Sequence, residues 1–118
     1  MTLDDFFANN RSSRKIFDDL HAAIEHLGQT EIRITRAQIS FRRKRAFVWA
    51  WVPGKYLSGK QAPLVLSISL ARRDPSKRWK EVVEPAKGRF MHHMELYRSD
   101  EIDEEVYSLL HEAWSEAG

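Results

Sequence analysis

Between Ile16 and Leu27 the apolar residues Ile16, Phe17, Leu20, Ala23, Ile24 and Leu27 recur every three or four positions. That spacing places one apolar stripe along an α-helix. Ser12 or Ser13 suits its N-cap, and Gly28 suits its stop. A shorter helical turn is expected over Leu3–Ala8 with Thr2 as its cap, broken by the polar stretch from Asn9 to Ser13.

Beyond Gly28 the period changes to two. Ile32 and Ile34 alternate with Arg33, and Ile39 and Phe41 alternate with Ser40 and Arg42. Arg43-Lys44-Arg45 is a polar break of hairpin length. Ala46–Val52 is rich in β-branched and aromatic residues and predicts the strongest strand, closed by Pro53-Gly54. Tyr56–Pro63 is expected to be a loop. Leu64, Leu66, Ile68 and Leu70 face one way along the next strand, with Val65, Ser67 and Ser69 facing the other. A basic loop around Asp74-Pro75 leads to a strand over Trp79–Glu84, ended by Pro85. Phe90–Tyr97 forms the last strand. Ser99 is the expected cap of a closing helix whose stripe is Ile102, Val106, Leu109, Leu110, Ala113 and Trp114. The order is helix, four to six antiparallel strands, helix. It predicts an α+β fold over residues 1–118 as one domain, with both helices packed on one sheet face.

Two alternatives are open for the Ala46–Val52 strand. Either Ala46, Val48, Ala50 and Val52 lie on the face away from the helices, or Phe47, Trp49 and Trp51 do. The second arrangement sets rings beside Arg33, Ser40, Arg42, Ser67, Ser69, His93 and Glu95, a surface suited to stacking bases and holding phosphates. It would also suit a smaller anionic aromatic ligand, or a homodimer contact. The first makes the rings core.

Charge sharpens this picture. The net charge is only +2, yet residues 33–89 carry fifteen basic and three acidic side chains. The segments on either side are acidic, at −3 and −7. A basic middle attracts anions, whereas acidic helices beside a basic sheet would simply neutralise it. Arg42, Arg43, Lys44, Arg45, Arg72, Arg73 and Arg78 are the candidate anion contacts, with Trp49, Trp51 and His93 as candidate ring and hydrogen-bonding partners.

Motifs for chemistry are few. The chain has no cysteine, which excludes disulfides, thiolate catalysis and cysteine metal sites. Gly54–Gln61 follows the phosphate-loop pattern except at its end, where Gln61 stands in place of Ser or Thr, and a strand rather than a helix follows. It is a β–β loop. His92 and His93 are neighbours on a strand, so they point to opposite faces and cannot share one ion. His92 belongs with the core residues. His93 is a candidate base or ligand contact beside a pocket under the 54–63 loop. No catalytic residue, cofactor or metal site is assigned, and the residues favour a binding or accessory module over an enzyme. The acidic N-terminus is not a signal peptide, and no stretch has the length of a membrane helix. A cytoplasmic protein without membrane contact is expected.

Ile39–Phe47, Phe90–Leu96 and Glu101–Val106 leading to Leu110–Trp114 together resemble a bacterial family known as domain of unknown function 5655. The resemblance runs from about Ile16 to Trp114. It implies an α+β fold, an intracellular location and kinship with small YdhG-like proteins, some described as iron chaperones. It implies no catalytic residues.

Overall fold

A computed structural model describes all 118 residues. Three α-helices and six strands follow in the order α1 (Leu3–Phe6), α2 (Arg11–Leu27), β1 (Glu31–Ile34), β2 (Ile39–Arg42), β3 (Ala46–Trp51), β4 (Leu64–Leu70), β5 (Glu81–Ala86), β6 (Arg89–Leu96) and α3 (Glu104–Glu116). The strands form one antiparallel sheet in the order β1-β2-β3-β4-β6-β5. The fold is α+β, with the N-terminal and C-terminal helices packed on one face of the sheet.

The core lies between that face and the helices. Ile16, Phe17, Leu20 and Ile24 of α2 and Val106, Leu109, Leu110 and Ala113 of α3 meet Ile39, Phe41, Val48, Ala50, Leu64, Leu66, Ile68, Leu70, Met94 and Leu96. Apart from the two alanines, each such side chain withdrawn from water contributes roughly 1.5–3 kcal/mol before entropy is charged against it. β4 runs through the middle of the sheet, and all seven of its residues are buried. His92 is fully buried among them, as its place in the alternation requires.

Four differences from expectation bear on the fold. Helix α2 starts at Arg11 with Asn10 at its N-cap. Ser13 is therefore inside the helix, and its hydroxyl donates to the Pro63 carbonyl at 2.6 Å, tying α2 to the loop before β4. Ser99 opens a single 3-10 turn, and α3 is capped instead by Asp103, which accepts from the Val106 N–H at 3.1 Å. Strand β5 runs through Pro85, because it lies at the sheet edge and its register shifts between Val83 and Ala86. A proline costs no ladder bond at such a place.

The fourth difference is a β-bulge. Phe41 pairs with Val48 but Arg42 pairs with Ala46, so Phe47 is an extra residue in β3. A bulge breaks the strict alternation. Phe47 and Val48 are consequently both buried in the core cluster, and Phe47 does not share a face with Trp49 and Trp51.

Candidate binding face

Cross-strand register builds the site. Arg33 is opposite Ser40, Ser40 opposite Trp49, Trp49 opposite Ser67, Ser67 opposite His93 and His93 opposite Glu81. One row thus crosses all six strands on the face that the helices leave uncovered. The next row places Trp51, Val65 and Glu95 side by side. Trp49 and Trp51 are half-buried on this face and lie outside the core cluster.

The rings and polar groups enclose a shallow depression of about 230 Å³ lined by Gln38, Trp49, Trp51, Ser67, Met91 and His93. Ser67 is only 2% exposed, and its Oγ lies 2.5 Å from Nδ1 of His93. The His93 ring meets Trp51 edge-on, with centroids 5.7 Å apart. Trp51 and His93 also line a second depression shared with Leu57 and Gln61 of the 54–63 loop, together with Glu81 and Glu95. Burial pushes the His93 imidazole below its ordinary value. Glu81 opposes that shift and His92 adds to it. His93 is therefore neutral at pH 7.

Polar satisfaction separates the tryptophans into two pairs. Trp79 Nε1–H donates to Asp74 at 2.9 Å, and Trp114 Nε1–H donates to the Gln29 carbonyl at 3.2 Å. Nε1 of Trp49, Nε1 of Trp51 and Nε2 of His93 have no partner in the protein. No buried side-chain nitrogen or oxygen is left without one, so these three nitrogens reach solvent.

The candidate cations do not converge on one surface. Arg42 lies on the helix-free face, in line with Ser40, and forms no ion pair. Arg43 stacks on Trp114 at 3.7 Å and donates to the Trp114 carbonyl at 2.9 Å. The Lys44 backbone N–H donates to Ala117 O, and Arg45 donates to Glu116 O, both at 2.9 Å. The 43–45 turn therefore caps the C-terminus of α3, where unpaired carbonyls and the helix dipole favour cations. Arg72 grips Glu112 with two bonds, at 2.8 and 2.9 Å, and reaches Asp74 at 3.0 Å, which holds its guanidinium well above the ordinary range. Arg73 sits 5.5 Å from the Phe90 ring. Arg78 bonds Asp103, Glu105 and the Glu101 carbonyl around the start of α3. The neutralisation of helix by loop thus accounts for much of the charge asymmetry.

Two further cations lie on the helix-free face, Arg33 as the alternation places it and Arg89 outside the expected strand. Arg33 stands in the cross-sheet row, and Arg89 shares the alternation of Met91 and His93. Neither forms an ion pair. Arg89 was hidden because the strand was expected to start at Phe90. In the 54–63 loop, Lys55 donates to the Phe6 carbonyl and sits 3.5 Å over the Phe6 ring, so this lysine braces α1.

The family model described as domain of unknown function (DUF5655) matches residues 3–117, and the chain belongs to that family. No curated protein and no solved structure matches the chain. No helix is long and apolar enough to cross a membrane.

Proposed function

We propose that the domain is a binding module that takes a segment of single-stranded nucleic acid on the helix-free face of its sheet. The observation that carries this reading is the placement of Trp49 and Trp51 on that face, half-exposed, beside the row Ser40, Ser67 and His93. Exposed rings give bases a stacking platform worth about 1–3 kcal/mol each. Arg33, Arg42 and Arg89 are the unpaired cations around it and would meet phosphates. This is a narrower cation set than charge along the chain suggests, because Arg43, Arg45, Arg72 and Arg78 are engaged within the fold.

Binding is favoured over hydrolysis at the Ser67–His93 pair. Ser67 lies in mid-strand, and β4 has strands on both sides. The neighbouring backbone N–H groups therefore belong to ladders and leave no free donors for an oxyanion. A second reading is a small anionic aromatic ligand seated in the depression beside His93, which has room for one ring.

Tryptophan fluorescence titrated with a short homothymidine strand tests the proposal. Quenching is expected at about 50 mM salt, with binding roughly 20-fold weaker at about 200 mM if three phosphates are held. Trp49→Ala and Trp51→Ala should each weaken it. Absence of quenching at low salt, or quenching indifferent to both substitutions, would sink the proposal. A homodimer closing this face would instead double the mass in solution and leave the strand unbound.

A further inference from the structure

The helix-free face offers donors and almost no free acceptors among its rings. An indole nitrogen only donates, and Nε1 of both Trp49 and Trp51 is unpaired and reaches solvent. The Ser67 hydroxyl determines the third donor. Its one partner is Nδ1 of His93. Ser67 is almost wholly buried, so its hydroxyl hydrogen must go to that nitrogen or remain unpaired. Nδ1 therefore accepts, and the neutral ring carries its hydrogen on Nε2, the nitrogen that has no protein partner. Ser67 acts as a positioning residue, setting the polarity of His93 from beneath.

We propose that the ring seated against Trp51 and His93 is a carbonyl-bearing pyrimidine, of the thymine or uracil type, presented by a single strand. This rests on the nucleic-acid reading of the face and names its preferred base. Such a ring places carbonyl oxygens on both sides of a single N–H, so it brings two acceptors to the three ring donors, Nε1 of Trp49, Nε1 of Trp51 and Nε2 of His93. Gln38, on the rim of the same depression, has an amide oxygen to take that N–H. Against these ring nitrogens, a base with an exocyclic amine in place of a carbonyl would point a donor at a donor, which costs the desolvation of both.

The experiment compares two strands of equal length on the full chain. One is homothymidine. The other carries difluorotoluene, which has the shape of thymine without its carbonyl acceptors. Homothymidine should bind about tenfold tighter, the effect of one or two hydrogen bonds. Ser67→Ala, which removes a hydroxyl without enlarging any side chain, and Trp51→Phe, which keeps a ring but loses the N–H, should each narrow that gap. Nitrogen-15 NMR of His93 should find the hydrogen on Nε2 in the native chain and a mixture of tautomers in Ser67→Ala. Equal affinity for the two strands, or a hydrogen on Nδ1 in the native chain, overturns the base preference while leaving the binding face standing. Failure of homothymidine to bind at all removes the nucleic-acid reading and this inference with it.

Discussion

The backbone N–H of Asp74 donates to Nε2 of His92 at 2.9 Å. On the other side of the ring, Nδ1 lies 3.2 Å from the Ile68 carbonyl, which can only accept. His92 therefore carries its hydrogen on Nδ1 and is neutral. The ring packs on Trp79 with centroids 4.9 Å apart, and the Trp79 N–H returns to the Asp74 carboxylate. One buried histidine thus pins the β4–β5 loop to the sheet. Its neighbour His93 has the opposite tautomer on the opposite face.

Acid should weaken the fold through this pair. Burial pushes both imidazoles below their ordinary value of 6.5. As pH falls below 6.5 the unfolded chain takes up protons first, so stability present above that pH is lost on the way down to the folded-state values. Each histidine contributes a slope of at most about 1.4 kcal/mol per pH unit. Urea midpoints measured from pH 8 to about 5 should decline. They should decline less in His92→Gln. A flat profile across that range would contradict neutral, buried histidines.

The loop cations should matter for stability and not for ligand. Arg78→Ala removes bonds to two carboxylates and a helix-end carbonyl, at a partly exposed site. Screening limits the cost to about 1 kcal/mol. Thermal denaturation should show a loss, and oligonucleotide affinity should be unchanged. A large fall in affinity with no fall in stability would return Arg78 to the binding surface.

How far these features were legible in the sequence varies with their range. Period and caps are local. Period foretold both long helices, a sheet of four to six antiparallel strands, the inward face of β4 and the split between His92 and His93, whereas the caps expected at Ser12 or Ser13 and at Ser99 lie instead at Asn10 and Asp103. The Phe47 bulge was not legible, since an extra residue leaves no mark in an alternating run until its partner strand is in place. The partners of Arg43, Arg72 and Arg78 were hidden for a related reason. Arg43 meets Trp114, 71 positions away, and Arg72 meets Glu112, 40 positions away. Composition predicted a positive middle, and only packing reveals which cations remain free.

Gly28 should not tolerate a side chain. Its φ is +146°, and an added Cβ would sit 2.6 Å from Cζ2 of Trp114. That indole also carries Arg43 and holds the Gln29 carbonyl, so it cannot move without loosening the end of α3. Gly28→Ala should cost about 1–3 kcal/mol. Calorimetry should record it as a drop in Tm of several degrees, at about 4–8 °C per kcal/mol. An unchanged Tm would mean that Trp114 does not pack on this turn.

Free cations should reveal themselves in the salt dependence of binding. Arg42→Ala and Arg89→Ala should each lower the slope of log K against log salt by about 0.7, the value for one phosphate on a single strand. Arg72→Ala should leave the slope alone, because Glu112 and Asp74 already occupy its guanidinium. Equal slope changes for all three would restore the broad basic surface that charge along the chain suggests.

The bulge in β3 makes two aromatic neighbours unequal. Phe47 is 1% exposed within the core, so Phe47→Ala opens a cavity and should cost about 3–5 kcal/mol. Trp49 is larger, yet it stands half-exposed on the helix-free face with its N–H in water, and Trp49→Ala should cost about 1–2 kcal/mol. The larger side chain should therefore be the less damaging one to remove from the fold and the more damaging one to remove from binding. Paired urea unfolding and oligonucleotide titration on the two variants measure both orders. If Trp49→Ala proved the more destabilising, the ring would belong to the core, and the stacking platform would lose one of its two tryptophans.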